Sequence, residues 1–291
     1  MVKKYGELYL ECRRALMQAE DPQTAGLMAR NLVAYYSGKS QEEVLRDRDL
    51  YAGEQTCSGV EDATKRLLAG EPLPYVLGEW EFYGLPLLVD RNVLIPRDDT
   101  CAVVGLAINQ AIFLPSDPRV LDLCTGSGCI GLAIASRIKD ARVTLADISK
   151  DALAVAKKNI TRNKLTSRVS CVQADALSPA PAFLGKFDMI VSNPPYITGP
   201  EMAELPASVK DFEPYLALYG GRDGLDFYRS IAEHYRKALK PGGFLALEFG
   251  MGQGDDVCAI LKEFGYTILE RTKDFNDRER AVLAQYGRKE D

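Results

Sequence analysis

The sequence contains a single histidine, His234, among 291 residues. It lies in a predicted surface helix, where we expect its side chain to be solvated or partly packed. A Ser–His–Asp triad or a histidine-rich metal site is hard to build from one such residue. We therefore expect no metal site and a reaction that needs no histidine base.

Long apolar runs and paired cysteines are also missing. No apolar stretch reaches about eighteen residues, and the first residues lack the apolar core of a signal peptide. The seven cysteines are scattered without a C-x-x-C pair, which argues against zinc or a disulfide framework. The formal charge of −5 disfavours nonspecific nucleic-acid binding. These absences predict a cytoplasmic protein that binds neither membranes nor nucleic acids directly.

Residues 1–75 have the apolar periodicity of a small helical domain. One helix shows apolar residues at i, i+3, i+4 and i+7, with Asp21 as its N-cap and Pro22 in its first turn. Further helices are expected at residues 41–48 and 60–69. The apolar stripe of the best-defined helix consists of Ala25, Met28, Ala29, Leu32, Val33 and Tyr36.

The rest of the chain changes character twice. Residues 76–96 are rich in Pro, Gly and β-branched residues and predict a linker with a β-hairpin that turns near Tyr83 and Gly84. Within residues 97–291, strands and helices alternate from Arg119 onward, which predicts a parallel sheet covered on both faces. Seven strands are expected, and the absence of a helix between the last two predicts an antiparallel edge strand. The fold class is therefore α/β and Rossmann-like, with a mostly parallel sheet.

A glycine-containing loop follows the first of these strands. Residues 122–128, Asp-Leu-Cys-Thr-Gly-Ser-Gly, run from a strand into a helix, and their small side chains let the backbone approach a nucleoside. Asp147 ends the next strand, where a carboxylate can accept hydrogen bonds from ribose hydroxyls. It could instead cap the following helix, a role for which Ser149 competes. A dinucleotide and S-adenosylmethionine both remain possible cofactors for this pair of features.

The tetrad Asn193-Pro194-Pro195-Tyr196 narrows the chemistry. It follows an apolar strand, and the prolines fix the backbone so that the Asn193 side-chain oxygen and the Pro194 carbonyl can face outward together. Two rigid acceptors suit a planar NH₂ group, because each takes one N–H. Tyr196 offers a flat face to hold that group. The tetrad therefore indicates methylation of an amide or exocyclic amine.

The chain resembles the PrmC/HemK family of methyltransferases. That family has the class I methyltransferase fold, binds S-adenosylmethionine and methylates N5 of the Gly-Gly-Gln glutamine in class I peptide-chain release factors, which modulates translation termination. The resemblance implies the same activity here, with the helical domain as a substrate-docking element. It is carried by LIPRDDT (94–100), FDMIVSNPPYI (187–197), EPYLAL (213–218), GGRDGL (220–225) and RER (278–280).

The resemblance also assigns residues. It implies that Asn193, Pro194, Pro195 and Tyr196 hold the glutamine amide. The implied cofactor-binding residues are Cys124, Thr125, Gly126, Ser127, Gly128, Asp147, Ile148, Asp175, Ala176 and Asn193.

Two positions depart from the family pattern. Cys124 stands where the family usually has glycine, so we expect no strongly positive φ there. Cys101 replaces a glutamate, and no role is assigned to it.

Two other functions fit parts of the sequence. A nucleic-acid amine methyltransferase would use the same tetrad on a flipped base, but it needs a basic, aromatic surface that the negative net charge does not supply. A catalytically silent cofactor-binding module would have little use for the tetrad.

The tetrad generates a first prediction. Asn193→Ala should abolish turnover yet leave S-adenosylmethionine affinity within a few fold, because the side chain acts mainly on the acceptor amide. Tyr196→Phe should lower turnover only slightly and Tyr196→Ala should lower it severely, because the ring face and not the hydroxyl holds the amide. Calorimetry and a methyl-transfer assay check this; lost cofactor binding with intact turnover would contradict it.

Overall fold

The computed structural model describes residues 2–287 and divides into two compact units. The first unit runs to Gly78 and also contains Ala207–Phe212. Its helices are α1 (Tyr5–Leu16), α2 (Pro22–Ser37), α3 (Gln41–Arg46), α4 (Glu54–Leu68), α5 (Leu73–Leu77) and, from the later segment, α10 (Ala207–Lys210).

The predicted apolar stripe forms the core of this helical unit. Ala25, Ala29, Leu32 and Val33 are all fully buried in α2. Asp21 caps the helix, since its side chain accepts hydrogen bonds from the next backbone amides, the nearer at 2.8 Å. The predicted start of α2 is confirmed.

Two predicted helix limits in this unit are wrong. α3 ends at Arg46 rather than residue 48, and α4 begins at Glu54 rather than residue 60. The first turn of α4 is polar, so its periodicity is weak in the sequence, although Thr56 is buried. A Cβ on Gly59 would lie 2.3 Å from the Tyr36 ring, which shows how closely α4 packs on α2.

The second unit comprises Glu79–Pro206 and the chain from Glu213 onward, and it begins with the hairpin. Strands β1 (Glu79–Phe82) and β2 (Leu85–Leu88) pair antiparallel, and the φ angles of +53° at Tyr83 and +77° at Gly84 confirm the predicted turn. The sequence placed this hairpin in a separate linker, whereas in the structure it is part of the second unit.

A seven-stranded sheet forms the centre of the second unit, in the order β5-β4-β3-β6-β7-β9-β8. Its strands are β3 (Arg119–Leu123), β4 (Arg142–Asp147), β5 (Val169–Gln173), β6 (Phe187–Ser192), β7 (Leu239–Glu248), β8 (Tyr266–Lys273) and β9 (Glu279–Tyr286). The helices of this unit are α6 (Cys101–Ala111), α7 (Cys129–Arg137), α8 (Lys150–Arg162), α9 (Gly199–Glu204), α11 (Asp226–His234) and α12 (Gly254–Glu263).

The mostly parallel sheet is confirmed, but the predicted antiparallel edge strand is wrong. β9 is the antiparallel strand, and it inserts between β7 and β8 instead of adding outside them. β9 is buried over most of its length, whereas β8 is half-exposed. The more apolar strand therefore takes the interior position, which the chain order alone does not reveal.

Apolar side chains alternate between the two faces of the sheet. Val120 packs with α6, α7 and α8 on one face, while the next residue, Leu121, packs with α11 and α12 on the other. Strands buried on both faces are expected in a doubly covered parallel sheet. Within residues 2–287, none of the helices combines the length and the apolar character needed to cross a bilayer.

The expectation for Cys124 is wrong. Its φ is +59°, in the left-handed region, so the turn after β3 does require a positive φ where the sequence carries a β-carbon. Such a conformation costs a non-glycine residue about 1–2 kcal/mol. The backbone is held by the next residue, Thr125, whose amide donates to Ala146 O at 3.0 Å. The anchored turn therefore overrides the local preference of Cys124.

This strain predicts the order of stability of two variants. Both Cys124→Gly and Cys124→Ala lose the thiol, but only glycine relieves the left-handed backbone. We expect the glycine variant to be the more stable of the two by about 1 kcal/mol in urea unfolding. An alanine variant of equal or greater stability would show that the backbone at residue 124 is unstrained.

Candidate functional site

A cavity of about 260 Å³ opens at the carboxyl ends of β3, β4 and β6. Open α/β sheets bind ligands at this edge, because the loops that leave parallel strands converge there. Residues from the predicted site that line the cavity are Cys124, Thr125, Gly126, Ser127, Asp147, Ile148, Asp175, Ala176, Asn193 and Pro195.

Three predicted site residues do not line this cavity. Gly128 is buried behind the loop, with a φ of +87°, and immediately precedes α7. Pro194 is buried, and Tyr196 is half-buried beyond the cavity wall. The structure therefore separates the residues that enclose the cavity from those that support it or lie beside it.

Asp147, at the end of β4, hydrogen-bonds the loop that follows β3. The carboxylate accepts from the Gly126 amide and from the Ser149 amide, each at 2.9 Å. Burial raises the pKa of this carboxyl above its usual value. Ser149, not Asp147, caps α8, because the Ser149 hydroxyl accepts from the Ala152 amide at 3.1 Å. Asp147 is thus free of a capping role and lies on the cavity wall.

Asp122 lies beneath the same loop as a fully buried carboxyl group. Its Oδ2 accepts from the Thr125 hydroxyl and, at 2.8 Å, from the Gly131 amide. Burial raises the pKa of Asp122 to about 7. A Cβ on Gly131 would lie 2.3 Å from Leu145, so α7 approaches β4 as closely as the backbone allows. Asp122 therefore holds the glycine loop and the first turn of α7 together through hydrogen bonds.

Asn159 is a site-supporting residue that the sequence did not indicate. Its side-chain nitrogen donates to Ser127 O and Leu88 O, each at 2.9 Å, and its oxygen accepts from the Leu88 amide at 2.6 Å. One fully buried amide therefore ties the glycine loop to the hairpin. The available signal was weak: an Asn in the middle of an otherwise amphipathic helix.

The tetrad begins one residue after β6. Asn193 Nδ2 donates to the Thr100 hydroxyl at 3.2 Å. Among residues 2–287, no hydrogen-bond donor reaches the Pro194 carbonyl. The Tyr196 carbonyl accepts from Gln253 at 3.2 Å. The arrangement leaves the Asn193 oxygen and the Pro194 carbonyl as unused acceptors.

The motif at residues 220–225 packs directly against the tetrad. A Cβ on Gly220 would lie 2.5 Å from Tyr196 Cα, so no side chain fits at that position. The Gly220 amide and the Ile197 carbonyl hydrogen-bond at 2.9 Å. This glycine gives the tetrad a rigid backing, which explains why the motif accompanies it.

The remaining motifs meet in ion pairs around the cavity. Arg97 pairs with Glu213, and Arg280 pairs with Asp99 at 3.0 Å and with Asp274 at 3.2 Å. Glu213 is buried, and burial raises the pKa of its carboxyl even though the Arg97 charge opposes that shift. Ion pairs therefore connect segments that are remote in sequence at one edge of the sheet.

Sequence profiles of two families match the chain. The Methyltransferase small domain matches residues 108–208, and the PrmC N-terminal domain matches residues 7–78. A crystal structure of a methyltransferase from Pyrococcus furiosus, 19% identical, superposes with a TM-score of 0.51 over 78% of this chain and 100% of that chain. That likeness concerns the fold.

Relatives of known name are similar over most of the chain. The Release factor glutamine methyltransferase of Clostridium acetobutylicum is 40% identical over 256 residues, which cover 88% of this chain and 90% of that protein. The protein of the same name from Geobacter sulfurreducens is 40% identical over 219 residues, covering 75% of this chain and 74% of that protein. The chain therefore belongs to the release factor glutamine methyltransferase family.

Proposed function

We propose that this chain transfers a methyl group from S-adenosylmethionine to the side-chain amide nitrogen of the Gly-Gly-Gln glutamine in class I peptide-chain release factors. The observation that carries the proposal is the state of Asn193 at the cavity wall. Its nitrogen is committed to Thr100, so its oxygen faces outward as an acceptor. An acceptor pair at Asn193 and Pro194 matches the two N–H groups of a primary amide.

The cavity residues fit an adenosyl group. Asp147 supplies a carboxylate at the position where ribose hydroxyls are bound in open α/β sheets. Ile148 and Leu177 line the cavity although each is 47% exposed, so apolar side chains are available to a flat adenine ring. The Asp175 carboxylate accepts from the Leu177 amide at 2.9 Å and from the Ser178 hydroxyl, which shapes its loop, and Asp175 lines the cavity where it can also contact the cofactor. When bound, S-adenosylmethionine supplies a methyl group already activated by its sulfonium.

The tetrad would orient the amide and strengthen its nitrogen as a nucleophile. An amide nitrogen is weakly nucleophilic because its lone pair is delocalised into the carbonyl. Hydrogen bonds from both N–H groups to Asn193 and Pro194 increase electron density on that nitrogen as the bond to carbon forms, which stabilises the transition state. Burial raises the pKa of Tyr196, so its hydroxyl stays protonated. In this proposal the flat face of its ring holds the amide.

Recognition of the release factor requires more surface than one glutamine side chain provides. A few atoms cannot give specificity, so contacts away from the tetrad must contribute. We propose that the helical unit serves as this docking element. It exposes several large apolar side chains, and Leu45 is 72% exposed on α3. We further propose that nucleic acids and membranes are not partners.

The substrate assignment predicts a clear preference. Labelled methyl should transfer to a folded class I release factor far faster than to a short peptide that carries its Gly-Gly-Gln loop. DNA and RNA should remain unlabelled. A factor with Gln→Glu in that loop is the matched control, since it keeps the shape and loses the amide. Labelling of the Glu factor at the full rate, or of nucleic acid, would remove the assignment.

The ribose assignment predicts the behaviour of Asp147→Ala. Loss of a charged acceptor for two hydroxyls removes roughly 2–3 kcal/mol of binding, so the dissociation constant for S-adenosylmethionine should rise tens of fold or more. Calorimetry measures this, with circular dichroism to verify folding, because the Gly126 amide also loses its partner. Glu263→Gln, an exposed change on α12, is the control. An unaltered constant would mean that Asp147 only shapes the loop.

A further inference from the structure

A buried carboxyl group lies behind the tetrad and takes no direct part in the proposed methyl transfer. Glu248 ends β7, is 2% exposed and follows a run of apolar residues. Within the described part of the chain, its Oε2 has no hydrogen-bond partner. A buried carboxylate that is incompletely paired costs folding free energy. Its position next to the candidate site therefore suggests a functional reason.

Glu248 is connected to Asn193 through Thr100. Asn193 Nδ2 donates to the Thr100 hydroxyl at 3.2 Å, and Thr100 is 2% exposed. This hydroxyl makes no capping bond to α6. Having accepted from Asn193, it has one proton to donate, and it lies close enough to the Glu248 carboxyl to lower the pKa of that acid. The Asn193 amide also lies close enough to this carboxyl to lower its pKa.

The count of donors fixes the orientation of Asn193. Its amide nitrogen donates to Thr100 and lies beside the Glu248 carboxyl, so its oxygen is the atom left for a substrate. A side-chain amide can turn over and exchange its oxygen and nitrogen. A turned-over Asn193 would present N–H groups to the N–H groups of the glutamine. An ionised carboxylate can only accept hydrogen bonds, so it excludes that arrangement.

We propose that Glu248, directly and through Thr100, is a positioning residue that holds the Asn193 oxygen toward the substrate glutamine. This inference rests on the proposed function of the tetrad and extends it to a residue outside the motif. Glu248 contacts neither cavity nor substrate and acts only through Asn193.

The orientation depends on pH. Burial raises the pKa of Glu248 to about 7, while hydrogen bonds from Thr100 and the charge of Arg280 oppose the shift. Above this pH the ionised carboxylate enforces the orientation of Asn193. Below this pH the protonated acid can donate a hydrogen bond to Thr100, and the orientation of Asn193 is no longer enforced. The titratable groups that interact electrostatically with Glu248 are Arg280, Asp99, Tyr196, Tyr228, Cys101 and Cys129.

Kinetics of the full-length chain on release factor test the proposal. Wild-type kcat should fall as pH drops below 7. Glu248→Gln should lower kcat by about 10- to 100-fold at pH 8 and make it independent of pH between 6 and 8. S-adenosylmethionine affinity should stay within a few fold. Asp122 also has a pKa raised to about 7, so loss of the pH limb in Glu248→Gln is what assigns that limb.

Matched variants separate positioning from packing. Thr100→Val should reproduce the loss of kcat, Thr100→Ser should restore most of it, and the exposed Glu263→Gln should behave as wild type. A Glu248→Gln enzyme with the kcat and pH profile of wild type would overturn the proposal.

Thermal stability should respond to Glu248→Gln in the opposite direction to activity: kcat should fall, whereas stability at pH 8 should not. The folded-state pKa of Glu248 is raised above its unfolded value, so the folded state binds the extra proton, and stability from this group falls as pH rises toward 7. Glu248→Gln removes that penalty and should have a thermal midpoint at pH 8 no lower than wild type. A marked fall at pH 8 would show a structural role and overturn the proposal.

A spectroscopic measurement does not depend on the substrate. In protein labelled with ¹⁵N-asparagine, the Asn193 side-chain amide signals, identified by their absence in Asn193→Ala, should shift between pH 6 and 8. They should not shift in Glu248→Gln. If the Asn193 signals of the wild type do not shift with pH, the positioning role is overturned. A wild-type chain that shows the shift but methylates no release factor would instead refute the proposed function alone.

Discussion

The candidate site depends on the parallel pairing of β3 with β6. Leu123 is opposite Ser192 in this register, and the Ser192 hydroxyl donates to the Leu123 carbonyl at 2.6 Å across the last step of the sheet. Because both strands end at the same level, the glycine loop and the tetrad leave the sheet side by side. A shift of one residue in either strand would turn its side chains to the opposite face. The glycine loop and the tetrad are therefore positioned by the same hydrogen-bond ladder.

Around this pair of strand ends, buried polar groups do the fine positioning. Asn159 fixes the loop to the hairpin, and Gly220 packs so closely behind the tetrad that no side chain fits there. The ion pairs of Arg97 and Arg280 join three segments that are far apart in the chain. All of these contacts join residues of the second unit, so they position the loop and the tetrad relative to each other without a ligand. Preorganisation of this kind lowers the barrier, because the acceptors need not reorient during the reaction.

Several of these choices lower stability. Burial raises the pKa values of Asp122 and Glu248 to about 7, which means that their ionised forms are disfavoured inside the protein. Cys124 adds backbone strain at the first residue of the loop. Strain and shifted acids at one sheet edge, beside a well-packed apolar core, are typical of a functional site. Stability is lost there and supplied by the core on both sheet faces.

The sequence alone determined the fold class, the helical stripe of α2, the hairpin turn and the edge of the sheet where the motifs gather. These follow from local rules: apolar periodicity, proline and glycine geometry, and the convergence of parallel strand ends. The family also followed from the sequence, because its motifs are contiguous. Only the tertiary structure decided the interior place of β9, the left-handed turn at Cys124, and the roles of Asn159 and Glu248. Each of these depends on partners distant in the chain: the burial of β9 beside β7, the anchored turn against β4, and hydrogen bonds that form only after the elements pack. Periodicity and motifs report which face of an element is apolar. They do not report which buried polar group it meets.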